Sequence, residues 1–139
     1  MQPVVFRPHC VLLTVGVFQA EEVAYLLKKG QTIESPIITV EDRLLIGKKA
    51  KRHENAGDAV SVAEWQELPI LIANVKTVLY DVKNDSVLYI LKSLDEKDPK
   101  VIKLSLRVQN GVIEIVSIFK ILDGAIEDGL NATHYELIR

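Results

Sequence analysis

Basic side chains are concentrated in one short stretch of a chain that is acidic overall. The stretch from Arg43 to His53 contains no acid, whereas the whole chain has a formal charge of −2 at pH 7. On a helix, Lys48, Lys51 and Arg52 lie at i, i+3 and i+4 and so share one side. Such a cluster can hold the phosphates of a nucleic acid; the alternative is a solvated helix end with cations placed favourably against the dipole. The residues predicted to bind phosphate are Lys48, Lys49, Lys51 and Arg52.

A second basic surface is predicted on a long β-hairpin. Asn110–Gly111 is a strong turn signal between two apolar strands, Val101–Gln109 and Val112–Lys120. A two-residue turn there places Lys103 and Arg107 together on one face. The opposite, apolar face is predicted to pair Val108 with Ile113, Leu106 with Ile115, Leu104 with Ser117 and Ile102 with Phe119.

This hairpin carries some of the groups that metal-free cleavage of RNA requires. The reaction needs a base for the 2′-hydroxyl proton, an acid for the leaving oxygen and cations for the charge on phosphorus. Lys103 and Arg107 are the predicted cations. Glu114 lies across from Arg107 and is either the base or the partner of Arg107 in a cross-strand ion pair. Ser117 is expected on the apolar face, either as a satisfied core hydroxyl or as a site residue at the open end of the sheet.

Histidine carries protons readily near neutral pH, and two of the three histidines have suitable neighbours. His53 ends the basic stretch. His134 begins the predicted last strand, beside Asn131 and Thr133. The alternative for each is a structural or solvated side chain, so both interpretations stay open.

Composition excludes several classes of site. A single cysteine removes disulfide frameworks and cysteine-rich zinc sites, and three histidines are too few for a histidine-rich metal site. The sequence has no Walker loop, no GxGxxG, GxSxG or HExxH motif and no EF-hand loop. We therefore predict no metal and no cofactor. The apolar runs are far shorter than the roughly 18 residues of a membrane span, so we expect a cytoplasmic protein without a membrane partner.

The order of the predicted elements indicates a single α+β domain. With 139 residues, 48% of them apolar, the chain can bury one sizeable core. Helix signals mark the first half, including a capping box at Ser61 and Glu64, and strands dominate the second half, with a short helix at Asp123–Asp128. We expect N-terminal helices packed on an antiparallel β-sheet meander. Residues 1–36 are expected to form an extension packed on a core of residues 37–139.

Short motifs from about Ile37 onward resemble those of one nuclease family. They are Trp65-x-x-Leu68-Pro69, Ala73-Asn74, Val78-Leu79-Tyr80-Asp81, Leu88-Tyr89, the hairpin Val101–Phe119 and the terminal Tyr135-x-Leu-Ile. Their order is similar to that in the phage-associated Barnase–EndoU–colicin–RelE-like nucleases. These domains occur at the ends of Mu-type phage head-morphogenesis proteins and in prophage and polymorphic toxin systems.

The resemblance implies a nuclease-like core over residues 37–139 and metal-independent cleavage of RNA, with tRNA as one candidate. In the family a histidine commonly lies on the helix before the Trp-x-x-Leu-Pro segment. The matching stretch here, Leu44–His53, has its histidine only at the end. Either His53 has taken that role or this chain binds without cleaving. The residues predicted as catalytic are His53, His134, Lys103, Arg107, Ser117 and Tyr135.

Three functions compete at this point. The first is a metal-independent, toxin-like endoribonuclease of a phage or prophage. The second is a catalytically inactive accessory domain that binds RNA, an immunity protein or another protein partner. The third is itself an immunity or inhibitor protein that mimics nucleic acid, although the basic stretch at Lys48–Arg52 argues against it. Val116 and Ile118 lie on the outer face of the hairpin, where they are either covered by N-terminal residues or form a homodimer surface.

Overall fold

A seven-stranded sheet forms the centre of this computed structural model, which describes residues 12–41, 44, 57 and 59–139. The strands are β1 (Leu12–Val17), β2 (Ile37–Glu41), β3 (Thr77–Asp81), β4 (Ser86–Lys92), β5 (Lys100–Gln109), β6 (Val112–Leu122) and β7 (Tyr135–Leu137). Their order across the sheet is β1-β2-β6-β5-β4-β3-β7. The chain is therefore a mixed α+β fold in which strands distant in sequence become neighbours.

Four helices lie in the described part of the chain, and one of them follows the long strands. They are α1 (Ala20–Lys28), α2 (Val62–Gln66), α3 (Leu68–Ala73) and α4 (Asp123–Asn131). The expectation of mainly N-terminal helices is wrong, because α4 comes after β6 and buries Ile126 against Leu79 and Leu88. No helix within the described ranges is long and apolar enough to cross a membrane.

The sheet is mixed, which corrects the predicted antiparallel meander. Strands β3 to β6 do form an antiparallel meander, but β2 runs parallel to β6, with Ile38 beside Ile113 and Thr39 beside Glu114. Strand β2 extends the core past β6 because Ile38 and Val40 are buried. The Thr39 hydroxyl also donates to the Ile113 carbonyl oxygen at 3.2 Å. Antiparallel β1 then pairs with β2 on its other side.

The long hairpin has the predicted turn, but it keeps the predicted register only near that turn. Asn110 and Gly111 have φ angles of 54° and 78°, the left-handed conformations that a tight hairpin turn requires. Leu106 pairs with Ile115 as expected. Beyond this pair an extra residue, Val116, interrupts the ladder as a β-bulge, and the register shifts.

The bulge corrects the pairing that was predicted farther from the turn. Leu104 pairs with Ile118 instead of Ser117. Ile102 likewise pairs with Lys120 instead of Phe119. Because side chains alternate along a strand, one inserted residue reverses the face of every side chain beyond it. Ile118 therefore enters the core, where only 7% of it is exposed. Ser117 leaves the predicted apolar face and turns to the opposite one.

Apolar side chains cover the two faces of the sheet unequally. The main core lies on one face and includes Phe18 with Leu26 of α1, Leu68 with Ile72 of α3, and the inward residues of the meander. A smaller cluster under α4 occupies part of the other face. In the described part of the chain, the rest of this second face carries polar side chains and no packed helix.

A buried glutamate ties the start of α1 to the sheet. Glu22 has no exposed surface and closes a capping box with the Gln19 amide. Its carboxylate also accepts a hydrogen bond from the Tyr89 hydroxyl at 2.7 Å and pairs with the Arg139 guanidinium. The burial of this charge is tolerated because each oxygen has a donor.

A second buried glutamate does the same for α2. Glu64 is 1% exposed, and its carboxylate lies 2.9 Å from Lys120 Nζ. The predicted capping box is confirmed, since Ser61 Oγ accepts from the Glu64 amide and Glu64 accepts from the Ser61 amide. Ser93 Oγ and the Leu94 amide also donate to this carboxylate. Burial raises the pKa of Glu64, but the hydrogen bonds from Lys120 and these neighbours outweigh it and lower the pKa to about 2.

Replacing Glu64 with glutamine is expected to destabilise the fold by about 3 kcal/mol at pH 7, because Lys120 loses its buried partner. The folded pKa of about 2 lies below the ordinary 4.5. The ionised carboxylate therefore stabilises the fold above pH 4.5, and this contribution disappears as the pH falls towards 2. The measurement is urea denaturation of the parent and Glu64→Gln across this range, in which their difference in unfolding free energy should shrink.

The exposed Glu67, which follows α2, provides the matched control. Glu67→Gln should change the unfolding free energy by less than about 0.5 kcal/mol. A difference between the parent and Glu64→Gln that stays constant from neutral to acidic pH would contradict the proposed stabilising charge.

Packing of α4 against β7 depends on the absence of a side chain at Gly129. A Cβ there would lie 2.3 Å from Cε2 of the Tyr135 ring, whereas a Cβ at Gly124 of the same helix would meet nothing within 4 Å. Gly129→Ala should therefore destabilise the protein by about 1–3 kcal/mol through overpacking. Gly124→Ala should be neutral or stabilise it by up to about 1 kcal/mol. Denaturation of both variants tests this contrast, and equal effects would contradict it.

Candidate functional site

A polar pocket of about 220 Å³ opens on the second face of the sheet, beside the part that α4 covers. We call it the strand pocket, because most of its walls are strand residues. Its position corresponds to the hairpin face on which the sequence predicted basic residues. The residues that line it are Asp81, Asn84, Ser86, Lys103, Ser105, Arg107, Val116 and Ser117.

Strand alternation explains why β5 supplies so much of the pocket. Ile102, Leu104 and Leu106 are at most 1% exposed and point into the main core. The alternate residues of β5 therefore point to the second face. These are the predicted Lys103 and Arg107, with Ser105 between them.

The bulge brings a hydroxyl from β6 to the same place. Ser117 pairs directly with Ser105, so the two side chains emerge side by side in the strand pocket. This arrangement favours the site interpretation of Ser117 over a core serine opposite Leu104. Ser86 adds a third hydroxyl at the start of β4.

The two cations of the strand pocket have no acidic partner among the described residues. Arg107 and Glu114 are cross-strand neighbours, yet no ion pair within 4.0 Å joins them, so the predicted salt bridge is not formed. Lys103 contacts aromatic rings instead: its Nζ lies 5.4 Å from the Phe119 ring centroid and 6.0 Å from that of Tyr135. Both charges therefore remain available to an anion.

An acid that the sequence analysis did not single out as a site residue also lines this pocket. Asp81 ends β3 and is 4% exposed. Its Oδ1 accepts from the Asn84 amide at 3.2 Å, and its Oδ2 accepts from Asn84 Nδ2 at 2.8 Å. The signal was present, since a carboxylate at a strand end beside an Asn–Asp turn is well placed to reach an open sheet face. Only the strand order shows that β3 and β5 bring their side chains together.

The structure brings some of the predicted catalytic residues together and places one of them apart. Lys103, Arg107 and Ser117 meet in the strand pocket, and Tyr135 lies at its border beside Lys103. His134 is exposed and does not line the pocket. Its amide donates to the Gly129 carbonyl at 2.9 Å and its carbonyl accepts from the Val82 amide. The residues that lie outside the described part of the chain are His53, Lys48, Lys49, Lys51 and Arg52.

A second cavity, of about 300 Å³, adjoins the strand pocket at the β3–β4 turn. We call it the turn cavity. Arg107 and Asn84 line both spaces, so the two cavities share a wall. The other residues that line the turn cavity are Gln31, Thr32, Asp85 and Val108.

The chemistry available in the strand pocket suits a phosphate ester better than a metal ion. Within the described ranges, no group of three or more histidine, cysteine or acidic side chains could hold a metal. The pocket offers as donors three hydroxyls and two cations that no described acid pairs with. Such groups bind the oxygens of a phosphate by charge and hydrogen bonding. Asp81 supplies one carboxylate that can accept a proton.

Comparison with known proteins adds no relative to this description. No protein-family model, no curated protein and no solved structure matches the chain. The function is therefore argued from the geometry of the strand pocket and from the sequence motifs.

Proposed function

We propose that the strand pocket holds a phosphodiester of RNA and that the protein is a metal-independent endoribonuclease. The observation that carries this proposal is the placement of Lys103, Arg107 and Asp81 around one cavity, with no ion pair from another described residue to either cation. Lys103 is half-buried, so its charge attracts an anion more strongly than that of a fully exposed lysine, and the exposed Arg107 adds a second charge to the same pocket. The phage or prophage context and the cytoplasmic location that the sequence predicts belong to the same proposal.

The local charge matters because the chain as a whole repels nucleic acid. Its formal charge is −2, so long-range attraction to RNA has to come from local basic surfaces. Many exposed lysines on proteins are merely solvated. Lys103 and Arg107 differ from such lysines because hydroxyls of Ser105 and Ser117 lie in the same pocket and supply further donors.

The side chains of the strand pocket can each take one role in the cleavage of RNA. Asp81 takes the proton of the 2′-hydroxyl, and the 2′-oxygen then attacks phosphorus. The bond from phosphorus to the 5′-oxygen breaks, and Lys103 gives that oxygen a proton. The products are a 2′,3′-cyclic phosphate and a 5′-hydroxyl. Arg107 and the two serines stabilise the charge that gathers on the phosphoryl oxygens. Asp81 thus takes the proton-accepting role for which the sequence offered Glu114 or a histidine.

A second candidate is an inactive accessory domain that binds RNA and does not cleave it. The position of His134 favours this candidate, because the only histidine in the described part of the chain is exposed and does not line the pocket. Binding would use the same two cations, so the two candidates differ in chemistry and not in the location of the site.

Cleavage of a mixed tRNA pool in EDTA tests the proposal. Lys103→Ala and Arg107→Ala should each reduce the rate by about a hundredfold or more, because each removes a charge that acts on the transition state. Lys97→Ala is the matched control, since Lys97 is exposed in the β4–β5 loop and does not line the strand pocket. His134→Ala should retain the parent rate.

RNA binding measured in parallel separates the two candidate functions. Asp81→Asn should abolish cleavage while it keeps most of the affinity for RNA, because the cations remain. A parent protein that binds RNA through Lys103 and Arg107 but leaves it intact would establish the accessory domain. A protein that neither binds nor cleaves RNA would overturn both. Cleavage that is equal in all variants would indicate a contaminating nuclease.

A further inference from the structure

We infer that the turn cavity is a nucleoside subsite that selects guanine next to the phosphate held in the strand pocket. This inference rests on the proposed function and specifies its substrate. It concerns Gln31, Asn84, Asp85 and Arg107, whose side chains define the hydrogen-bonding character of the cavity. None of these residues except Arg107 was assigned a role from the sequence.

The two cavities are placed as a base and its own phosphate would need them. Arg107 and Asn84 line both, so a nucleotide that bridges them keeps contact with one continuous wall. The turn cavity has a volume of about 300 Å³, which is at the lower end of the range for small-ligand sites. That size suits one base with part of its ribose.

The shared wall also sets the direction of the RNA chain. Asn84 donates two hydrogen bonds to Asp81, the proposed base, and lines the turn cavity as well. A nucleoside in the turn cavity is therefore the one whose 2′-hydroxyl approaches Asp81. It lies on the 5′ side of the bond that is cleaved.

Hydrogen bonds within the protein leave the turn cavity rich in acceptors. Gln31 Nε2 donates to Asp85 Oδ1 at 2.8 Å, and Asn84 Nδ2 donates to Asp81 Oδ2 at 2.8 Å. Their carbonyl oxygens have no donor among the described residues, and neither does Asp85 Oδ2. The cavity therefore presents amide oxygens and a carboxylate to a ligand, beside the donors of Arg107 and the hydroxyl of Thr32.

Guanine is the base that best satisfies such a lining. Its Watson–Crick edge carries two adjacent donors, the ring N–H and the exocyclic amino group, which a carboxylate can accept together. Adenine and cytosine offer an amino group beside an acceptor, and uracil offers one ring N–H between two acceptors. Asp85 is exposed in the free protein. A base that covers its second oxygen without donating to it displaces water and leaves that oxygen without a donor, so each of these bases should bind more weakly.

Asp85 is held in position before any ligand arrives. The Tyr80 hydroxyl and Gln31 Nε2 both donate to its Oδ1, which leaves the other oxygen for a base. Its backbone φ of 51° is left-handed, a conformation that aspartate and asparagine tolerate better than most residues. A fixed carboxylate loses little freedom on binding and therefore discriminates well.

Binding of 3′-mononucleotides to the intact protein tests the inference without any need for cleavage. We expect 3′-GMP to bind about tenfold more tightly than 3′-AMP, 3′-CMP or 3′-UMP, as judged by calorimetric titration. Asp85→Asn preserves the acceptor for Tyr80 and the backbone conformation but removes the charge. It should bring the affinity for 3′-GMP to that of the other nucleotides and leave binding of inorganic phosphate unchanged. Asp128→Asn, at an exposed position of α4, is the matched control.

The outcomes separate this inference from the proposed function. Equal binding of all four nucleotides, with loss of binding in Lys103→Ala, would overturn guanine selection and leave the phosphate site standing. A preference for another base, or a guanine preference that survives Asp85→Asn, would also overturn the inference. If neither nucleotides nor inorganic phosphate bind, the proposed function fails as well. Guanine preference that is lost in Asp85→Asn and kept in Asp128→Asn would establish it.

Discussion

The single inserted residue in β6 determines how this protein divides its sheet between core and site. Side chains alternate along a strand, so Val116 reverses every later position of β6 relative to β5. One consequence is that Ile118 fills the main core. Another is that Lys120 reaches the buried Glu64 at the start of α2. A third is that Ser117 emerges beside Ser105 in the strand pocket. Packing, charge pairing and the candidate site therefore depend on the same irregularity.

The buried ion pairs and the cations without an acidic partner lie on opposite faces of the sheet. The carboxylates of Glu22 and Glu64 are enclosed on the side of the main core, and each has a cationic partner. Such pairs fix helix ends to particular strands, and breaking one costs far more than its formation contributes. On the second face, Lys103 and Arg107 have no acidic partner in the described part of the chain. The buried ion pairs hold the helices in place, and the cations of the second face can attract a negatively charged ligand.

Local patterns in the sequence predict the parts of this fold that local chemistry controls. The Asn110–Gly111 turn and the Ser61 capping box depend on a few adjacent residues, and both are present. The bulge could not be derived in the same way, because alternation alone does not reveal one extra residue, although the close spacing of Ile115, Val116 and Ile118 hints at it. The parallel pairing of β2 joins segments far apart in sequence. The same limit applies to the site. Lys103 was predicted because alternation along its own strand places it on the open face. Asp81 could not be predicted in this way, because only the order of the strands in the sheet brings β3 near β5.

The parallel junction between β2 and β6 divides the sheet into units of unequal cooperativity. Register pairing there involves only Ile38 and Thr39 of β2, while β5 and β6 pair along nearly their whole length. Local unfolding occurs most readily in the parts of a fold that make the fewest contacts with the rest. Amide hydrogens of the β1–β2 ribbon should accordingly exchange through such openings, and those of β5 only on global unfolding. Because Gln31 precedes β2 while Arg107 belongs to β5, the two walls of the turn cavity belong to different cooperative units. A ligand bound in the turn cavity would therefore contact both units, and its binding should slow the opening of the β1–β2 ribbon.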